Sequence, residues 1–164
     1  MLKFVEATEA DIELLSSLGY TIFRETYTTM LSEEQIVYML DMMYSLESLK
    51  RQMDDNNTFY IVYYDNRACG YIGIANHEDN KYHLQRLYLH RDMRGKNLGR
   101  AMMQQVFDHA KKFSPDGATI TLNVNRDNPT VEFYKKMGWE IISRGDFELG
   151  QGFLATDYIM SINI

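Results

Sequence analysis

The sequence predicts an α/β (α+β) fold: one mixed, mostly antiparallel central sheet of about seven strands, flanked by four or five helices. Three observations predict it. The 164 residues are 45% apolar, which is the composition of a folded domain. Apolar residues recur at helical spacing in the first third of the chain and then in short strand-type runs. Further on, strand and helix signals alternate, as a βαβ unit with a right-handed crossover requires. No repeat, low-complexity tract or linker interrupts the chain, so residues 1–164 read as one domain.

The elements follow in order. LKFVEA, residues 2–7, is a short strand. Thr8 caps a helix through residue 27, with acids in its first turn and Ile12, Leu15, Leu18 and Ile22 at helical spacing. Ser32 and Gln35 form a capping box for a second helix through residue 44, and SLESLKRQM continues the helical character. The period then changes. TFYIVYY and CGYIGIAN are strands of a hairpin that turns at Asp65 and Asn66. KYHLQRLYLH is a third strand. After a basic loop, Leu98, Met102, Val106 and Ala110 form one stripe of a helix, which stops before the turn residues SPDG. ATITLNV is a buried-type strand. Asn128 and Pro129 begin a helix that Gly138 ends. WEIIS and FLATDYIMSINI are the last strands, with RGDFELGQG, residues 144–152, as the loop between them.

Bulk properties narrow the function. No apolar run approaches the ~20 residues of a membrane helix, and the opening MLKFVEATEADIELL lacks the apolar core of a secretory leader. The single cysteine, Cys69, forms no internal disulfide or thiol metal cluster and fits a reducing cytoplasm. No metal is expected. The net charge of −6 argues against a nucleic-acid partner and suits a cationic small molecule.

One stretch reverses that charge. Five basic residues, Arg86, Arg91, Arg94, Lys96 and Arg100, stand against a single acid, Asp92, just before a helix. A helix start presents unpaired N–H groups and the positive end of its dipole. Gly95 and Gly99 let the backbone curl so that its amides converge on an anion. A phosphate-bearing ligand accounts for this; so does an ordinary turn with a solvated charged rim. The order of residues matches neither the ATP phosphate loop nor the dinucleotide fingerprint.

LYLHRDMRGKNLGRAMM resembles the acetyl-CoA-binding segment of the GCN5-related N-acetyltransferases, the GNAT family, on Arg94, Gly95, Lys96, Asn97, Leu98 and Gly99. NPTVEFYKKMGWEI resembles that family's second signature on Asn128, Phe133, Tyr134, Lys136, Gly138 and Trp139. The order of elements is similar over essentially the whole chain. Its two ends further resemble the branch that acetylates spermidine and related polyamines. Asn97 departs from the pattern, since the family usually has glycine there.

The resemblance implies direct acetyl transfer from acetyl-CoA to an amine, with no covalent enzyme intermediate. It implies that the amides of residues 95–100, with Arg94 and Arg100, hold the pyrophosphate. The strand at Leu87, Tyr88 and Leu89 would splay from its neighbour and pair with the pantetheine arm, with Asn128, Phe133 and Lys136 completing the cofactor site. Tyr134 would protonate the departing thiolate; without the motif it reads as a core or rim aromatic. His83 stands where family members often carry a glutamate acting as base through water; by itself it reads as a half-exposed strand histidine. Glu25 and Asp41 are helix carboxylates suited to a cationic acceptor or to plain solvation. Met39, Met42 and Met43, with Tyr38 and Tyr44, read as core before pocket.

The expected function is transfer to a primary amine of a small molecule, a polyamine among the options. The loop at residues 144–152 would close over a small acceptor. A non-catalytic acyl-CoA sensor and a peptide or protein N-acetyltransferase are the alternatives. The apolar ending DYIMSINI permits a homodimer.

Overall fold

A computed structural model describes residues Met1–Ile164. Seven strands form one sheet: β1 (Leu2–Glu6), β2 (Asn57–Tyr64), β3 (Arg67–Asn76), β4 (Lys81–Leu89), β5 (Thr119–Asn125), β6 (Glu140–Gly150) and β7 (Phe153–Asn163). Their spatial order is β1-β2-β3-β4-β5-β7-β6. Only β4 and β5 run parallel. Five helices cover the sheet: α1 (Ile12–Tyr27), α2 (Glu33–Tyr44), α3 (Leu46–Asp54), α4 (Leu98–Phe113) and α5 (Thr130–Lys136). The expected mixed sheet and helix number are present. No helix is long and apolar enough to cross a membrane.

Strand alternation divides the apolar residues into two cores. Ile61, Phe59 and Tyr71 face α1, α2 and α3, where Leu15, Ile22, Ile36, Leu40 and Tyr44 are buried. Val62, Ile72, Leu84, Ile120 and Leu122 face α4 and α5, against Met102, Met103 and Val106. The sheet is thus apolar on both sides, which is why its central strands read as nearly continuous apolar runs. Tyr44 lies in the core as expected, whereas Met42 lines a shallow cleft between α1 and α2.

Local signals act mostly as the sequence indicates. The β2–β3 turn has Asp65 and Asn66 at positive φ, 49° and 66°, the geometry that matches strand twist. Ser32 accepts the Gln35 amide N–H at 3.2 Å, but the Gln35 side chain does not close the capping box. It donates instead to the Leu154 carbonyl at 3.1 Å. Residues 144–152 are a correction. They are not a loop: β6 runs to Gly150 and a tight turn at Gln151 and Gly152 leads into β7. β6 is an edge strand exposed along most of its length, so it carries no hydrophobic alternation to read. Its pairing comes from the β7 backbone.

His109 of α4 is buried between Tyr60, whose hydroxyl meets Nδ1 at 2.8 Å, and Asn76, whose Oδ1 lies 2.7 Å from Nε2. Burial lowers the pKa of His109 and also of His83. Each imidazole is therefore protonated in the unfolded chain below about pH 6.5 and stays neutral in the fold to a lower pH. In that window the unfolded chain binds more protons. Stability should be indifferent to these groups above about pH 6.5 and fall below it, by up to about 1.4 kcal/mol per pH unit for each. Urea unfolding between pH 7.5 and 5 measures this; a flat midpoint contradicts it.

Candidate active site

The parallel pair β4–β5 is joined only from Lys81↔Thr119 to Leu84↔Leu122. Beyond that point the strands diverge. β4 stays with β3 through Leu89, and β5 stays with β7 through Asn125. The expected splay is present, and its cause is local. Gly73 pairs with Arg86 and Ile74 with Leu84, so Gln85 is an extra residue, a β-bulge where the strands part.

A cleft of about 540 Å³ fills the gap. One end is the strand-to-helix loop. Gly95 has φ +81° and Asn97 lies in the left-handed region at φ 60°, ψ 17°. Left-handed turns before a helix start are the backbone pattern of anion-binding nests. Asparagine tolerates this backbone better than most residues, so the loop keeps its curl without the usual glycine. Gly99 has a different task. A Cβ there would meet the Phe133 ring at 3.3 Å, so glycine lets α4 approach α5. Arg94, Gly95, Asn97, Leu98, Gly99 and Arg100 all line the cleft. Lys96 does not; its ammonium lies 5.4 Å from the Tyr64 ring.

The walls are the unpaired edges. Leu87, Tyr88 and Leu89 of β4 line one side, with Asn128, Phe133 and Tyr134 near α5 opposite. Asn128 also shapes its own turn: its Oδ1 accepts from the Thr130 amide at 3.0 Å and hydroxyl at 2.8 Å. Lys136 is exposed and does not line the cleft. Tyr134 is buried, packed against Phe133 and Trp139 with ring centroids 5.6 and 6.0 Å apart. Burial, with a smaller contribution from Tyr88, raises its pKa well above the usual phenol value. It is therefore a protonated donor across the physiological range.

Sequence reasoning passed over Tyr27. This last residue of α1 reads as one more apolar helix position. In the structure its hydroxyl lies 3.0 Å from that of Tyr88 and accepts from the Asn128 amide at 3.4 Å. The hydrogen-bonded chain from the turn before α5 to β4 therefore runs through α1. Glu25 is not free for a ligand. It pairs with His90 Nε2 at 3.2 Å and meets the Arg91 amide at 3.5 Å, tying α1 to the basic loop. Asp41 is exposed on α2. His83 sits where β4 and β5 are still paired, its Nδ1 2.8 Å from the Thr121 hydroxyl, one residue before the gap.

Comparisons with known proteins agree with this fold. A family model described as acetyltransferase (GNAT) domain matches residues 27–162. PaiA N-acetyltransferase from Thermoplasma acidophilum, solved in complex with coenzyme A, has a TM-score of 0.80 at 24% identity over 98% of both chains. A GCN5-related N-acetyltransferase from Rhodopseudomonas palustris has a TM-score of 0.81 at 16% identity, over 99% of this chain and 95% of that one. The ribosomal-protein-S18-alanine N-acetyltransferase from Escherichia coli has a TM-score of 0.75 at 13% identity, over 100% and 94%. The search of curated proteins gives no match.

Proposed function

Since the chain belongs to the GNAT family of acetyl-CoA-dependent N-acetyltransferases, we propose that it acetylates a primary amine of a small, cationic molecule, a polyamine being the best fit. The acetyl donor enters from the α4 side. Amides of residues 95–100 bind its pyrophosphate, with Arg94 and Arg100 adding charge. The free edge of Leu87–Leu89 bonds the pantetheine arm as a further strand. That aligns the thioester with the gap, where a main-chain N–H polarises its carbonyl and Tyr134 supplies a proton to sulfur.

One observation carries the choice of a small acceptor. α2 is fastened to the β6–β7 hairpin. Tyr38 of α2 donates to the Leu149 carbonyl at 2.8 Å and stacks on Phe153 with centroids 5.5 Å apart, while Gln35 holds Leu154. This clamp joins α2 to the β6–β7 hairpin and supports a closed rim over an open peptide groove. The expectation that residues 144–152 restrict the acceptor thus rests on a strand hairpin and not on a mobile loop. Glu34 and Asp41 beside the clamp favour a cation, while Glu33 is paired with Arg24. The unpaired outer edge of β6, with Ile142 59% exposed, supports pairing of two copies into a homodimer.

Thiol release from acetyl-CoA tests the acceptor class. Spermidine and n-butylamine should be acetylated with kcat/KM at least about tenfold above a peptide carrying a free N-terminus. Faster turnover of the peptide overturns the small-molecule reading. Tight CoA binding with no turnover of any acceptor favours the sensor.

A further inference from the structure

β5 alternates faces. Ile120, Leu122 and Val124 are buried toward α4, so Thr121, Asn123 and Asn125 face α1 and α2. β7 pairs Asp157 with Asn125 and Ile159 with Asn123. Residues directly opposite share a face. Asp157 is thus on the α1–α2 side of the sheet, opposite the β5 residue three past the last one that pairs with β4. Asn123, a diagonal neighbour on that face, is exposed into the cleft. Across the gap is the bulge residue Gln85. Its side-chain Oε1 is buried, has no hydrogen-bond partner, and belongs to a residue lining the same cleft.

These groups have one chemistry in common. A carboxylate only accepts hydrogen bonds, and an unpartnered amide oxygen needs a donor. An ammonium offers three N–H donors and a positive charge. We propose that Asp157 is the acceptor-side base: with Gln85 opposite, it binds the acceptor's ammonium at the gap and removes the proton that blocks attack. This rests on the amine-acetylation reading above.

The step balances. Asp157 takes one proton, leaving a neutral amine and a carboxylic acid. The nitrogen lone pair forms the C–N bond at the thioester carbonyl. As the C–S bond breaks, its electron pair leaves on sulfur, which takes the Tyr134 proton. The phenolate recovers a proton from the nitrogen, which still carries one in excess. Asp157 returns its proton to water. The products are the amide, the CoA thiol and one released proton.

The surroundings fit a base. Burial raises the Asp157 pKa, while the nearby Asn123 amide and Arg126 guanidinium oppose that. Arg126 is itself engaged by Asp146 of β6 at 2.9 Å. Asp157 also interacts with the Tyr88 phenol of β4, which is protonated at neutral pH because burial raises its pKa. A carboxylate with a raised pKa holds an amine's proton better than an exposed one.

The test measures thiol release with n-butylamine and spermidine for wild type, Asp157→Asn and His83→Gln, with CoA affinity from calorimetry. Asp157→Asn should lose about a hundredfold in kcat/KM at pH 7 and keep CoA affinity within about twofold. Near pH 10 much of the amine is already neutral, and the deficit should shrink below about tenfold. A loss under about threefold, a deficit unchanged at pH 10, or loss confined to His83→Gln overturns the proposal. Should Asp157→Asn fail to bind CoA, Asp157→Ser carries the same comparison. A wild-type protein that acetylates neither amine overturns the amine reading, and this proposal with it.

Discussion

Replacing Tyr134 by phenylalanine should lower kcat/KM about a thousandfold while leaving CoA affinity within about twofold. The removed group is one hydroxyl; ring packing against Phe133 and Trp139 is retained. A thiol's ordinary pKa is about 8.5 and a phenol's about 10, so in water the proton transfer to a thiolate is uphill. In the cleft, both anions lose hydration. The same burial that raises the Tyr134 pKa also makes an unprotonated departing thiolate costly. A donor within the wall lets the C–S bond break without a bare thiolate. The raised pKa also keeps this donor loaded at the alkaline pH where amines become neutral, so no Tyr134-linked decline should occur up to about pH 10. Thiol release under saturating acetyl-CoA measures the loss in kcat. Activity of Tyr134→Phe within about tenfold of wild type removes the phenol from the chemistry.

Gly19→Val should lower stability by about 3 kcal/mol, through overpacking. Gly19 is in the middle of α1, and a Cβ there would meet the Tyr44 ring at 2.3 Å. That ring has nowhere to go. Tyr44 is 1% exposed, its hydroxyl accepts from Tyr71 at 2.8 Å, and the Arg86 guanidinium lies 5.5 Å from its centroid. Glycine ordinarily costs a helix stability, so its use here reflects the close approach of α1 to α2. Thermal unfolding should show a midpoint lower by roughly 6–12 °C. Displacement of α1 should also be felt in the cleft, because α1 carries Tyr27 to Tyr88 and Thr26 to Arg94. An unchanged midpoint means that α1 and Tyr44 repack freely.

The sequence by itself determined the element order, the hairpin at Asp65 and Asn66, the basic loop and the stripe of α4. Each of these is set by local chemistry: turn residues that tolerate positive φ, apolar spacing, or a helix start that follows a strand. The loop and the two signatures, read together, also indicated the family and its acetyl-CoA cosubstrate. Only the tertiary structure decided what depends on a neighbour's backbone. β6 is a strand because β7 pairs with it, although its own residues are solvated and unpatterned. Gln35 leaves its cap because the Leu154 carbonyl is within reach. Tyr27 and Asp157 read as ordinary members of an apolar helix and an apolar strand. The cleft that Tyr27 lines follows from one extra residue at Gln85, which turns β4 away from β5. Period and composition specify which face a residue occupies. They do not specify where two strands part, because that separation is fixed by pairing between segments far apart in the chain.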